Sequence, residues 1–206
     1  FSGMLSVEDA FSLVCKRAEL MDECAKENNG EMYAVLGLES GIVTELCFSL
    51  EKCYPVNFNC KTQTVVAADL KSVSSLLEKV KEKGGKAIRL SVSGAFHSPF
   101  MDKASVKLKE YIKTEKIELN SAEIPVFANS TAEIYNDSAL IYKQIHSPVL
   151  WQKTIENIIN LGVDKFIEVG AGKTLSGLVS KISPAVKVTN CEDEKSLNNT
   201  LEIWRF

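Results

Sequence analysis

One of the chain's two histidines lies where a strand-like segment gives way to a helix-like one. The segment KAIRLSV ends at Val92, Gly94 follows, and His97 precedes Ser98 and Pro99, a pair typical of a helix N-cap and first turn. Proteins of the α/β class often carry active-site groups in such turns, where an imidazole could act as a general base. A histidine without an identified partner also fits a packed structural role, so both interpretations stay open.

A helical wheel over residues 7–25 places one charged residue, Arg17, inside an apolar face. The apolar members of this face are Val7, Ala10, Leu13, Val14, Met21, Cys24 and Ala25. A buried guanidinium without an anion costs several kcal/mol, and its paired N–H groups suit a carboxylate or a phosphate. Arg17 could therefore bind a carboxylate on a ligand or form an internal salt bridge.

Three other patterns have structural explanations. His146 ends a predicted helix before Pro148, where a cation favours the helix C-terminus. The segment EVGAGKTL imitates a phosphate-binding loop, but Ile167 stands where that loop needs its first glycine, which argues against nucleotide hydrolysis. The six cysteines form neither a CxxC pair nor a Cys/His cluster, so we expect reduced thiols and no metal site.

The order of predicted elements indicates an α/β fold with two parts. Residues 31–93 alternate as βαββαβ, the order of a small ferredoxin-like subdomain. Residues 1–30 and 94–206 form a larger subdomain in which the strands IPVFA, KFIEV and VKVTN alternate with helices at 99–114, 138–146, 149–161 and 195–203. This alternation predicts parallel strands covered by helices.

Composition excludes several classes of function. The 24 Lys and Arg against 27 Asp and Glu give a formal charge of -3, and no basic tract could follow a phosphate backbone. We therefore expect no nucleic-acid partner. No apolar run approaches the ~20 residues that span a bilayer, and no N-terminal signal is visible. The sequence predicts a cytoplasmic protein without a membrane partner.

Four segments occur in an order that resembles a known enzyme family: SVSGAFHSPFM, FANSTAEIY, QIHSPVLW and FIEVGAGKTLSGL. Together they resemble the malonyl-CoA:acyl carrier protein transacylases of fatty acid synthesis, and the acyltransferase domains of polyketide synthases look similar. The resemblance extends over nearly the whole chain. It implies an α/β-hydrolase-like large subdomain with the ferredoxin-like one inserted and the active site between them.

The resemblance also implies roles for five residues. His97 corresponds to the general base that activates a serine nucleophile, and Arg17 to the group that binds the free malonyl carboxylate. Gln144 matches the glutamine whose backbone oxygen steadies the histidine ring. Phe96 resembles the bulky residue associated with malonyl rather than methylmalonyl substrates, and Asn59 lies in a stretch that borders the acyl pocket.

Substrates and partners follow from the same resemblance. It implies transfer of a malonyl group from malonyl-CoA to the phosphopantetheine thiol of acyl carrier protein through a serine acyl-enzyme. Malonyl-CoA is then a substrate, and no cofactor is expected. We expect a monomer.

The sequence departs from the family in one respect. The family's nucleophile lies in a Gly-His-Ser-x-Gly elbow, and the 206 residues contain no such motif. Family order puts that elbow just before Phe1, so we expect the chain to be N-terminally incomplete and inactive by itself. The alternatives are a noncatalytic fragment that binds acyl groups or carrier protein, and an acyltransferase domain of a polyketide synthase.

Overall fold

The computed structural model describes residues 2–204, which form two compact units. The first unit extends through Thr154, and the second starts at Ile155. Helices and strands alternate as expected, and the prediction of an α/β protein is confirmed. The predicted division into residues 31–93 and the remainder is a different partition and stays a prediction.

The first helix, α1 (Val7–Glu27), begins at the N-cap Ser6, whose hydroxyl accepts a hydrogen bond from the Asp9 backbone N–H at 3.0 Å. Its buried residues include Leu13, Met21 and Cys24. The helical wheel is wrong to place Val7 and Val14 on the buried face, because these residues are 81% and 65% exposed. The physical reason is that α1 packs on α4 (Asp102–Thr114) along a narrower stripe than the wheel implies.

A four-stranded antiparallel sheet follows α1, with strand order β2-β3-β1-β4. Its strands are β1 (Gly30–Leu36), β2 (Cys53–Cys60), β3 (Gln63–Asp69) and β4 (Lys86–Arg89). Helices α2 (Ser40–Phe48) and α3 (Leu70–Glu82) pack on the sheet around a core that contains Val35, Val43 and Leu76, each fully buried. The other face of β1 contributes Met32 and Ala34 to a second cluster, which also contains Ala95 from the turn after β4.

The chain between β4 and the end of the first unit is less regular than predicted. The helix expected over 99–114 is a 3-10 turn (Pro99–Met101) followed by α4, and the helix expected over 138–146 is only α5 (Leu140–Lys143). The predicted strand IPVFA is wrong, because among the described residues this segment makes only one isolated bridge, Phe127 to Ile134. Without a neighbouring strand, β propensity alone does not form a ladder.

The second unit contains two parallel strands, β5 (Lys165–Val169) and β6 (Lys187–Cys191). Helix α6 (Trp151–Asn160) leads into the unit, and α7 (Thr174–Ile182) and α8 (Glu194–Ile203) follow the two strands. The Glu168 carboxylate accepts hydrogen bonds from the backbone N–H groups of Leu175 and Ser176 at 3.1 and 2.7 Å. The first turn of α7 thus already binds an anion from its own chain. No helix within residues 2–204 is both long and apolar enough to cross a membrane.

Candidate active site

An open cavity of about 440 Å³ lies in the first unit, between α1, the sheet and the turn that follows β4. Arg17, Phe96 and His97 line it, as does Asn57 of β2. Apolar side chains complete the wall: Met21, Met32, Val65, Leu90 and Val92. A cation and an imidazole therefore share one cavity with an apolar wall.

The backbone geometry at His97 is unusual, and hydrogen bonds hold the turn that carries this residue. His97 has φ 58, in the left-handed region that only a small fraction of non-glycine residues adopt and that is enriched at functional sites. The His97 backbone N–H donates to the Ile145 carbonyl at 3.2 Å, and the Ser98 hydroxyl donates to the Ala95 carbonyl. Ser98 is the N-cap by position, as predicted, but its hydroxyl closes this turn and does not cap the helix.

Close packing holds the same turn against α1. Gly94 is buried, and a Cβ built on it would lie 2.5 Å from the Ala25 Cβ. Because real Cβ atoms do not approach so closely, only glycine fits there unless the turn or the helix moves. This contact sets the turn that carries His97 beside the helix that carries Arg17.

The His97 ring is oriented by a backbone carbonyl. His97 Nδ1 lies 2.9 Å from the Gln144 carbonyl oxygen. A carbonyl can only accept a hydrogen bond, so Nδ1 carries the proton and Nε2 of the neutral ring keeps its lone pair. Ile145, which is fully buried in the core between α1 and α4, anchors the segment that provides this carbonyl. The geometry therefore provides an oriented proton acceptor.

The electrostatics keep that acceptor neutral. Burial is the largest cause that lowers the pKa of His97, and the nearby Arg17 cation lowers it further, although hydrogen bonds to the Gln144 and Ser147 backbone oppose both. A lowered pKa means that the neutral imidazole persists to a lower pH than in a free histidine. His97 is thus able to accept a proton at neutral pH.

We expect Arg17→Met to raise the pKa of His97, because the substitution removes a cation that disfavours protonation of the ring. In the unsubstituted protein the titration midpoint of the His97 ring should lie below the ordinary histidine value of 6.5, and in Arg17→Met this midpoint should move upward. NMR titration of the ring protons measures both midpoints, and the signal that disappears in His97→Asn identifies the His97 ring. An unchanged midpoint in Arg17→Met would contradict the coupling.

Arg17 extends from α1 with a half-buried side chain and a neutral hydrogen-bond partner. Its Nη2 group donates to the Gln144 side-chain Oε1 at 3.0 Å. Burial lowers the pKa of the guanidinium, which nevertheless stays charged at neutral pH because arginine is not deprotonated in proteins. Within residues 2–204 no carboxylate forms a salt bridge with Arg17, so the internal ion pair considered from the sequence is not found there.

The structure brings four of the five predicted site residues together. Phe96 lines the cavity immediately before His97, and Gln144 contacts both His97 and Arg17. Asn59 is not among the residues that line the cavity, whereas Asn57 is. The register of β2 against β3 shifts twice, between Pro55 and Asn57 and again between Phe58 and Cys60, so Asn59 lies within the second irregularity.

Asn57 is a residue that sequence reasoning missed. Its side-chain Oδ1 is buried and has no hydrogen-bond partner within the described chain. The backbone on either side of it bonds to Val149, through Val149 N–H to Val56 O at 2.7 Å and Phe58 N–H to Val149 O at 2.9 Å. The sequence does not predict these backbone hydrogen bonds, because residue types alone do not determine how a strand pairs at a bulge.

A model of the acyl transferase domain family matches residues 1–196. The chain belongs to this family of acyl transferases. Among curated relatives, the malonyl CoA-acyl carrier protein transacylase of Staphylococcus aureus strain MSSA476 is 40% identical over 209 residues, covering 96% of this chain and 67% of the relative. The transacylase of the same description from Bacillus subtilis strain 168 is 34% identical, covering 98% of this chain and 66% of the relative.

Solved acyl transferase structures share the fold. The malonyl CoA-acyl carrier protein transacylase of Clostridium perfringens superimposes with a TM-score of 0.94 at 37% identity, covering 99% of this chain and 66% of that one. A malonyl-transacylase in complex with its type II PKS acyl-carrier protein gives a TM-score of 0.91 at 31% identity, covering 98% of this chain and 67% of that one. This acyl transferase sequence therefore spans about two thirds of the length of its relatives.

Proposed function

We propose that this acyl transferase transfers a malonyl group from malonyl-CoA to the phosphopantetheine thiol of an acyl carrier protein, in fatty acid biosynthesis. One observation carries the proposal: the His97 ring and the Arg17 guanidinium lie on the same cavity and are both bonded to Gln144. An oriented base beside a carboxylate-binding cation suits acyl transfer from a thioester whose acyl group is itself an anion.

The proposed reaction has two half-reactions. His97 Nε2 accepts the proton of the family's serine nucleophile, the serine oxygen attacks the malonyl thioester carbonyl, and the CoA thiolate leaves with the proton that His97 returns. In the second half-reaction His97 takes the proton of the carrier protein's thiol, the thiolate attacks the serine ester, and the serine regains its proton. Arg17 binds the malonyl carboxylate throughout.

Other features of the site support narrower proposals. Phe96, which lines the cavity next to His97, would crowd the carbon that carries the methyl group in methylmalonyl substrates. Asn59 stays a predicted pocket residue, although the cavity wall favours Asn57 for contact with the acyl chain. Malonyl-CoA would be a substrate and not a retained cofactor, and we propose a monomeric, cytoplasmic enzyme.

We also propose the architecture that the sequence predicted. The strand order β2-β3-β1-β4, with α2 and α3 as the connecting helices, supports a ferredoxin-like subdomain over residues 31–93. The parallel pairing of β5 and β6 supports an α/β-hydrolase-like arrangement for the remainder, residues 1–30 and 94–206.

The test is the intact mass of the protein expressed from its complete reading frame, before and after brief exposure to malonyl-CoA. We expect a gain of one malonyl group, and its loss when carrier protein with a free phosphopantetheine thiol is added. A protein that binds malonyl-CoA without gaining mass would instead support a noncatalytic binding module. Additional domains in the reading frame would indicate a polyketide synthase.

A further inference from the structure

We propose that the Gln144 side chain acts as a neutral placeholder on Arg17, holding the guanidinium ready and yielding it only to a carboxylate. This inference rests on the proposed function and assigns Gln144 a positioning role beyond its backbone contact with His97. The placeholder would help the enzyme distinguish an acyl group with a free carboxylate from an uncharged one.

The orientation of the Gln144 amide is fixed from its other end. Its Nε2 group donates to the Ile141 carbonyl of α5 at 3.1 Å. That bond identifies the nitrogen, so the oxygen is the atom that faces Arg17, which donates to it at 3.0 Å. Gln144 thus connects α5 to the guanidinium through two hydrogen bonds of defined direction.

The charge of this acceptor determines how easily Arg17 is released. The bond from the Arg17 guanidinium to the Gln144 amide has one charged partner, whereas a guanidinium and a carboxylate carry opposite charges and can form two parallel N–H···O bonds. A malonyl carboxylate can therefore replace or supplement the Gln144 amide with a gain in free energy, whereas an acetyl group offers Arg17 no anion. A permanent anion at position 144 would remove this difference between malonyl and acetyl groups, since Arg17 would already be paired with a carboxylate.

The two roles of Gln144 can be separated by substitution. The bond to His97 Nδ1 comes from the backbone carbonyl, which every replacement at position 144 retains. The bond to Arg17 comes from the side chain, which replacements change. Variants at this position therefore alter the Arg17 environment while the contact that orients His97 is kept.

The experiment compares malonyl and acetyl transfer, as the ratio of their kcat/KM values, in the full-length protein and two variants. Gln144→Glu introduces the competing carboxylate and should lower the malonyl-to-acetyl ratio about tenfold. Gln144→Met has a similar size but no acceptor, and should lower the ratio by only about threefold. A ratio that is the same in all three proteins would overturn the proposal, as would a larger loss in Gln144→Met than in Gln144→Glu.

Two controls separate failure of this inference from failure of the proposed function. Arg17→Ala is measured in the same assay: if it leaves the ratio unchanged, the assigned function of Arg17 fails and the placeholder with it. If Arg17→Ala lowers the ratio but Gln144→Glu does not, only the placeholder fails. The His97 ring titration in Gln144→Met, which adds no charge, reports whether the backbone contact survives. Because that contact raises the pKa of His97, a further drop in the titration midpoint would show that the contact is lost and would count against a role confined to Arg17.

Discussion

Replacing His97 with asparagine is expected to lower malonyl transfer about a thousandfold, because the serine would lose the group that accepts its proton. Asparagine suits this test because it tolerates the left-handed backbone found at position 97, where φ is 58. The variant should therefore fold normally and still bind malonyl-CoA. Stopped-flow or radiolabel transfer assays measure the rate, and binding of malonyl-CoA is measured separately by calorimetry.

The matched control for this substitution is His146→Asn. His146 contacts the Asp102 carboxylate through Nδ1 at 2.6 Å and is not among the residues that line the cavity in the described part of the chain. We expect it to retain activity within about threefold, because this side-chain contact is partly exposed and such contacts contribute little. Comparable losses in the two variants, or near-normal turnover in His97→Asn, would contradict the assignment of His97 as the base.

Replacing Arg17 with alanine is expected to lower malonyl transfer about a hundredfold more than acetyl transfer. Leaving the malonyl carboxylate unpaired in a partly desolvated cavity costs about 3 kcal/mol, the lower end of the range for buried pairs because Arg17 is only half-buried. Acetyl transfer makes no use of the cation and should change little. Parallel measurement of kcat/KM with malonyl-CoA and acetyl-CoA gives the ratio directly.

Arg17→Lys serves as the conservative companion to Arg17→Ala. Lysine keeps the positive charge but not the planar pair of N–H donors, so malonyl transfer should recover only partly. Equal losses of malonyl and acetyl transfer in Arg17→Ala would show that Arg17 supports the fold and not the choice of acyl group.

Periodicity predicted the parts of the fold in which one face of an element is buried. The predicted βαββαβ order over residues 31–93 includes the observed α3, and the predicted strand KFIEV is the observed β5. In α3 the buried residues recur every four positions, and in β5 partly buried and exposed residues alternate. The segment IPVFA is also apolar, but within residues 2–204 it makes only an isolated bridge and joins no sheet. Residue types alone do not show whether a segment with β propensity will have a neighbouring strand to pair with.

The candidate site could be predicted only in part, for a related reason. Arg17 stands out in the sequence because it is a charged residue on an apolar helix face. His97 stands out because it lies in a turn between a predicted strand and a predicted helix. Asn57 does not stand out, because two register shifts in β2 decide which side chains face the cavity. The bond between the Gln144 side chain and Arg17 joins residues 127 positions apart, and no pattern of residue types reports such a contact.

The carbonyl that orients His97 belongs to the main chain, and this has a consequence for genetic approaches to the site. Saturation mutagenesis exchanges side chains and leaves the peptide oxygen of residue 144 in place. A mutational map would therefore record the histidine as essential while its orienting partner remained invisible. The contribution of this oxygen can be measured only by changing the backbone chemically. An ester in place of that amide, for example, weakens the carbonyl as a hydrogen-bond acceptor.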